Sequence, residues 1–333
     1  MGLLVAALRT RRGGKDGYMG LKVVLRSYGG DNDKGRPEFY SKDLVVASFV
    51  RAARAASEVE DIEVFFVNDG PIPRLRLNFM ERCGRVLQIP DGPVGMRDSY
   101  RYGLDMPQKY GWSDDDIVAY VEDDYLLVEH AFTTLIEGAR ALPEASYFAL
   151  TGSRPTDYDD PAQQRLHGLP RGWRPLPDRV VGDDTWIHVL SVASTFAARV
   201  GPLRADRDIF EQCMRPFRNR YLDHETCLLY QGVVPYRGTE FFFGLPGDFV
   251  PGVRGVLRAS ALVPYRVLLN RRARRQRTPH LLYAVQPSVA THLEVAMMNP
   301  ARDWEAEAEA VTDWARLQGY EVTPLSAQQR SHA

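Results

Sequence analysis

The sequence predicts an α/β fold, a sheet of strands covered by helices, and three observations point there. Short apolar runs alternate with amphipathic stretches from Leu21 onward, the runs are of strand length, and three of them end in polar clusters. In open α/β sheets such clusters mark the carboxyl ends of strands, where ligands bind. Residues 22–25 form the first strand, closed by Arg26 and Ser27, and a polar, glycine-bearing loop follows to residue 37. Val46, Phe49, Val50 and Ala53 stand at i, i+3, i+4 and i+7 and give one helical apolar stripe. IEVFFV at 62–67 is a second strand, stopped by the turn residues Asn68, Asp69, Gly70 and Pro71. A helix through Leu75 and Phe79 leads to a third strand at 86–89, and the next helix opens near Gly95 with Met96, Tyr100 and Leu104 on one face. The strand from Ile117 runs into Glu122, Asp123 and Asp124, and a helix carrying Phe132, Leu135, Ile136 and Ala139 follows.

The second half is less regular. Residues 146–152 and 191–199 read as strands, separated by a Pro-, Gly- and Asp-rich stretch, 153–184, expected to be a functional loop or partly disordered. LDHETCLLYQG at 222–232 has an acidic start, an apolar run and a closing glycine, which describe a short capped helix. Residues 266–280 are strongly basic, and the last helix anchors through Trp304, Val311 and Trp314.

At 333 residues the chain buries a large core, and 42 basic against 43 acidic side chains give no whole-molecule charge for nucleic-acid binding. Three widely spaced cysteines, Cys83, Cys213 and Cys227, form no CxxC pair and point to a reduced, cytoplasmic setting. The first residues place positive charge after a short apolar run, the reverse of a secretory signal, and read as a loose leader. No run approaches the roughly 20 apolar residues that cross a bilayer, so membrane contact is expected to be peripheral at most.

The most informative stretch is IVAYVEDDY at 117–125. Three carboxylates at the end of an apolar strand repel one another and resist desolvation, so water or a cation must relieve them. A solvated acidic turn, as expected for Asp114, Asp115 and Asp116, is one reading. A hard divalent cation is the other.

Taken in order over about residues 22–292, these elements resemble the metal-dependent, nucleotide-sugar-using glycosyltransferases of A-type fold, nearest the large family-2-like set. The resemblance implies a Rossmann-like nucleotide-binding half with a mixed central sheet and an acceptor-binding half. It divides the chain into a flexible leader (1–20), a nucleotide-sugar-binding half (21–145), an acceptor-binding half with a basic loop at 266–280 (146–300), and a C-terminal helix and tail (301–333). Arg26, Ser27 and Tyr28 resemble the opening strand whose loop holds the nucleotide base, and Asp69 the carboxylate that accepts from base or ribose. GMRDSYRYGL at 95–104 is similar to the helix beside the donor diphosphate, leaving Arg97 and Arg101 both as candidates for a bidentate phosphate contact. The EDD of Glu122, Asp123 and Asp124 stands for the usual DxD. On that resemblance Asp124 binds Mn²⁺ or Mg²⁺, Glu122 or Asp123 acts through water or sugar hydroxyls, and His292 completes the metal site. An inverting transfer needs a carboxylate base for the acceptor hydroxyl. Asp223 is preferred for it and Glu225 follows, although helix N-terminal capping alone would account for both. Thr195 and Phe196 would line the acceptor side.

The implied reaction moves a sugar from a nucleoside-diphosphate sugar, UDP before GDP or dTDP, to an unidentified acceptor: a glycan, a lipid-linked glycan or a small natural product. A sugar-phosphate nucleotidyltransferase would share the architecture, but GGDNDKGRP does not match its triphosphate loop. A non-catalytic metal- or carbohydrate-binding module is the remaining alternative; an EF-hand begun at Asp31 fails because Arg36 and Lys42 fall where Gly and Glu are needed. The arginines of 266–280 read as a lid over the diphosphate, a contact with an anionic membrane, or a solvated basic helix.

Overall fold

A computed structural model describes residues 19–30, 35–154, 157, 173–215, 221–244 and 252–323. Most of the expected leader and the last ten residues lie outside the described residues.

Four strands, β1 (Leu21–Tyr28), β2 (Ile62–Asp69), β3 (Arg85–Gln88) and β4 (Ile117–Glu122), run parallel in the order β3-β2-β1-β4. Their crossovers are helices α1 (Lys42–Ser57), α2 (Arg74–Cys83) and α3 (Met96–Lys109). Each helix falls where expected in the sequence, but Leu75 of α2 and Met96 of α3 are exposed, and α2 buries Arg76, Phe79 and Met80 instead. Ser41 caps α1 by accepting from the Leu44 amide. The chain leaves β4 through β5 (Tyr125–Leu127) and α4 (Ala131–Ala141) into β6 (Ala145–Ala149). The main sheet continues through β7 (Arg179–Val181), β8 (Asp184–His188), β9 (Phe196–Arg199) and β10 (Leu281–Gln286), in the full order β3-β2-β1-β4-β9-β6-β10-β8-β7. β9 is antiparallel to both β4 and β6, so the sheet is mixed and one sheet spans both expected halves. β11 (Ala290–His292) pairs antiparallel with β5 outside the main sheet and sets His292 opposite Tyr125.

One face of the sheet packs Leu21, Val23, Leu25, Phe66 and Phe148 against α1, α4 and the C-terminal helix α11 (Trp304–Leu317). Tyr320 closes that layer, stacking on Phe79 at 4.0 Å and donating to Asp43, which also pairs with Arg76 at 2.6 Å. The other face packs Val24, Val67, Tyr120 and Tyr147 against α3, α5 (Val200–Ala205), α6 (Arg207–Met214) and α7 (Asp223–Tyr230). Cys213 and Cys227 lie in this layer, and burial pushes each thiol up to about 12.

Three expectations need correction. The strand expected at 191–199 begins only at Phe196. Part of the expected irregular stretch 153–184 is strand, because β7 and the start of β8 form a hairpin at the sheet edge; residues 155–156 and 158–172 lie outside the described residues. Most of the expected basic loop at 266–280 is helix. After α8 (Glu240–Phe243) and α9 (Val253–Ala261), α10 (Val263–Arg275) is continuous and rich in the good helix formers Arg, Leu and Ala. Arg266 faces inward and donates to the carbonyls of Phe241, Phe242 and Ala259, at 3.4, 2.8 and 2.9 Å, stapling α8 and α9 to α10. Arg266→Leu would remove the side-chain donor from the buried Ala259 carbonyl and from the part-buried carbonyls of Phe241 and Phe242. It should lower stability by about 2–4 kcal/mol, read as a lower urea midpoint at unchanged m-value.

Asp114, Asp115 and Asp116 form a turn at the opposite end of the sheet from the acidic strand end. Asp114 and Asp115 are solvated as expected, but Asp116 is buried and accepts from the Gly20 and Ser113 amides.

Candidate active site

The strand order places a switch point between β1 and β4, because the crossovers run one way from β1 to β3 and β4 lies on the other side. Glu122, Asp123 and Asp124 emerge at the carboxyl end of β4, beside Arg26, Ser27 and Tyr28 of β1. Each of the three carboxylates meets a cation of the same chain. Glu122 pairs with Arg26, whose guanidinium also donates to Ser99 Oγ at 3.0 Å. Asp123 Oδ2 accepts from Lys42 Nζ at 2.8 Å, the Tyr28 amide at 2.7 Å and Ser27 Oγ at 3.1 Å. Asp124 Oδ2 accepts from Arg36 Nη2 at 3.2 Å and lies 3.0 Å from His292 Nε2. The acidic strand end is therefore neither a plain wet turn nor a bare carboxylate cluster. Its charge is balanced by three cations from β1 and from the loop and helix that follow it.

The pairs differ in character. Burial opposes the Arg26 charge, but Glu122, with Tyr221, Asp123 and Tyr100, outweighs it and holds the guanidinium firmly protonated. Burial pushes the Glu122 carboxyl up, Arg26 pulls it back, and the charges of Asp124 and Asp123 add to the push. Asp123 spends its carboxylate fixing the end of β1 and the start of α1. Lys42 adds to this by donating to the Tyr28 carbonyl at 2.7 Å and lying 5.3 Å from the centre of the Tyr28 ring. That leaves the exposed Tyr28 ring presented to solvent from a rigid base.

The 3.0 Å between Asp124 Oδ2 and His292 Nε2 is a hydrogen-bond distance, and both atoms are of types that bind a divalent cation. A carboxylate oxygen and an imidazole nitrogen 3.0 Å apart match two neighbouring ligands of one octahedral ion, which stand about 3 Å apart when each bond is about 2.1 Å. Among the described residues no group of three or more His, Cys, Asp or Glu converges on a metal position. Two protein ligands suit Mg²⁺ or Mn²⁺, ions commonly completed by water and substrate phosphate. The imidazole is oriented by the Tyr125 ring, centred 5.0 Å away, and by Glu294, 3.8 Å from Nδ1. The Asp124 carbonyl accepts from the Leu293 amide at 2.8 Å, so the acidic turn and the β11 end are locked together. Arg36, missed by sequence reasoning, also donates to the Leu293 carbonyl at 2.7 Å and sits over the Tyr40 ring.

At the end of β2, Asp69 is buried and its carboxylate accepts from the amides of Val94 and Gly95, at 2.6 and 3.0 Å. It holds the loop that opens α3. Gly95 takes φ 87°, a region that glycine enters without strain. Of the two arginine candidates on α3, Arg101 is clamped by Glu211, 2.9 Å from both Nε and Nη2, and by Asp98. Arg97 makes a longer contact with Asp98, 3.4 Å.

The start of α7 separates the two base candidates. Asp223 is exposed and lines a cavity with Tyr100, Val192, Phe196, Phe210 and Cys227. Glu225, two positions on, points the other way, is buried, and accepts from the Tyr236 hydroxyl at 2.5 Å. Successive positions turn by about 100° on a helix, so i and i+2 cannot share a face. A second cavity, lined by Val24, Arg26, Tyr120, Glu122 and Ser194, shares Tyr100 with the first. Burial pushes the Tyr125 phenol well up, and the charges of Glu122, Asp124 and Asp223 push it further. Thr195 accepts from the Glu122 amide at 3.1 Å, which ties β9 to the acidic turn.

No protein family and no curated protein matches this chain by sequence. The solved structures it resembles include the galactosyltransferase LgtC in complex with donor and acceptor sugar analogues, at 15% identity and a TM-score of 0.44, over 92% of this chain and 99% of that one. TarS of S. aureus matches at 13% identity and a TM-score of 0.37, over 63% of this chain and 34% of that one. Glucosyl-3-phosphoglycerate synthase from Mycobacterium tuberculosis, in complex with Mn²⁺, UDP and glucosyl-3-phosphoglycerate, matches at 13% identity and a TM-score of 0.36, over 77% and 80%. Likenesses at this level assign no donor, acceptor or catalytic group to this chain, which the site itself has to supply.

Proposed function

We propose that this chain is a metal-assisted, nucleoside-diphosphate-sugar-dependent glycosyltransferase of A-type fold that inverts the anomeric carbon. The observation that carries this reading is the 3.0 Å pairing of Asp124 Oδ2 with His292 Nε2 at the switch point between β1 and β4. It joins two side chains of complementary ligand type where open α/β sheets bind nucleotides. UDP is the favoured nucleotide, with GDP and dTDP as the alternatives to test.

In this reading the loop after β1 receives the base, with Ser27 and the exposed Tyr28 held in place by Asp123 and Lys42. Asp69 shapes the loop ahead of α3, and Arg97 or Arg101 of that helix pairs with the diphosphate. Asp124 and His292 hold the cation, which when bound stabilises the charge that gathers on the diphosphate as the glycosyl bond breaks. Glu122 stays close to the sugar under the control of Arg26. Asp223 takes the proton of the acceptor hydroxyl as its oxygen attacks the anomeric carbon, and the nucleoside diphosphate leaves with the bonding pair. Phe196 and Thr195, expected on the acceptor side, are buried, and Tyr100 and Phe210 with them, so the acceptor meets Asp223 at the exposed start of α7.

Calorimetric titration with UDP, GDP and dTDP, each with Mn²⁺ and with a chelator, tests the reading. One diphosphate should bind at least about tenfold more tightly with Mn²⁺, a difference of about 1.4 kcal/mol. Equal binding with and without metal for all three would remove the proposal.

A further inference from the structure

We propose that the outer face built by α8, α9 and α10 docks on an anionic phospholipid bilayer. A surface helix normally turns its large apolar side chains inward. In α9 the buried positions are the small residues Gly255 and Ala259, while Val253 and Leu257 are 77% and 65% exposed and Val256 is exposed with them. Val253, Leu257 and Ser260 share one outward stripe, flanked by the exposed Arg254 and Arg258. α10 repeats the pattern: Pro264, Leu268, Arg271 and Arg275 are exposed at i, i+4, i+7 and i+11, with Leu268 52% exposed. Phe242 and Phe243 of α8 are exposed beside them, and Arg266 fixes all three helices as one unit.

The charge of this region fits one partner. Helices α8, α9 and α10 carry seven arginines and one acidic residue, Glu240, in a chain whose formal net charge is −1. Arg266 is buried and Arg272 pairs with Asp208, and Arg254, Arg258, Arg271, Arg274 and Arg275 are exposed. Exposed apolar side chains bordered by arginine are what an interfacial helix presents to lipid, the rings and aliphatic chains entering the acyl boundary and the guanidinium groups meeting anionic headgroups. Nucleic acid would use the arginines but has no use for Val253, Leu257 and Leu268. A second copy of this chain would bring two positive faces together.

Co-sedimentation of the full chain with lipid vesicles tests this, using phosphatidylcholine alone and phosphatidylcholine containing one-third phosphatidylglycerol. The protein should pellet with the anionic vesicles only, and high salt should release most of it. Arg271→Gln with Arg275→Gln should weaken partition about 30-fold, at roughly a factor of five per arginine. Leu257→Ser with Leu268→Ser should weaken it about tenfold or more at unchanged charge. All four positions are exposed, so both variants should keep the wild-type circular dichroism spectrum. No pelleting, equal pelleting with neutral vesicles, or tighter binding to duplex DNA or RNA than to anionic vesicles would each overturn the proposal. So would a dimer, seen by light scattering, that the two leucine changes dissociate.

Discussion

Asp124→Asn should abolish the metal dependence of nucleotide binding and lower kcat/KM for sugar transfer by about 10³-fold or more, on the order of 4 kcal/mol of transition-state stabilisation. Asparagine keeps the shape of Asp124, and its carbonyl oxygen can still accept from Arg36, so the effect falls on charge rather than on packing. His292→Ala should act in the same direction and less strongly, because it removes a neutral ligand and leaves the carboxylate. Titration of each variant with the diphosphate, with and without Mn²⁺, separates the two contributions. If Asp124→Asn keeps the Mn²⁺ effect while Glu122→Gln loses it, the ligand is Glu122, and the Arg26 pair must open to release it.

Asp223→Asn should lower kcat by about 10² to 10⁴-fold while leaving the affinity for nucleoside diphosphate unchanged, the pattern expected when only a general base is lost. Glu225→Gln should do the opposite. Transfer should stay within a few-fold of wild type, and stability should fall by about 1–2 kcal/mol because the buried bond from Tyr236 loses its carboxyl acceptor. Steady-state kinetics beside urea unfolding reads both effects. Loss of transfer in Glu225→Gln with normal transfer in Asp223→Asn would reverse the assignment of the base.

Much of the fold was legible because it rests on local periodicity. The stripes of Val46, Phe49, Val50 and Ala53 and of Phe132, Leu135, Ile136 and Ala139 became α1 and α4, since burial of one face is what stabilises such helices. The hairpin of β7 and β8 was not legible. Its strands are three and five residues long, and β7 is mostly exposed, so little alternation marks it. The basic stretch read as a loop in the domain division and as a solvated basic helix among its other readings; most of it is helix, and the sequence did not show that Arg266 turns inward to supply a buried contact.

The sequence by itself determined that an apolar strand ends in three carboxylates at a strand's carboxyl end, and that water or a cation has to relieve them. It also determined that Asp223 and Glu225 lie close together at a helix start. Tertiary structure alone decided what meets each charge. Asp124 lies 168 positions from His292 and 88 from Arg36, and Asp123 lies 81 from Lys42. The reason is physical: periodicity reports which face of an element is buried, whereas a charge finds its partner through the sheet order, which brings distant strand ends side by side. For the same reason Asp223 and Glu225, alike in sequence, became one exposed carboxylate lining a cavity and one buried bond to Tyr236.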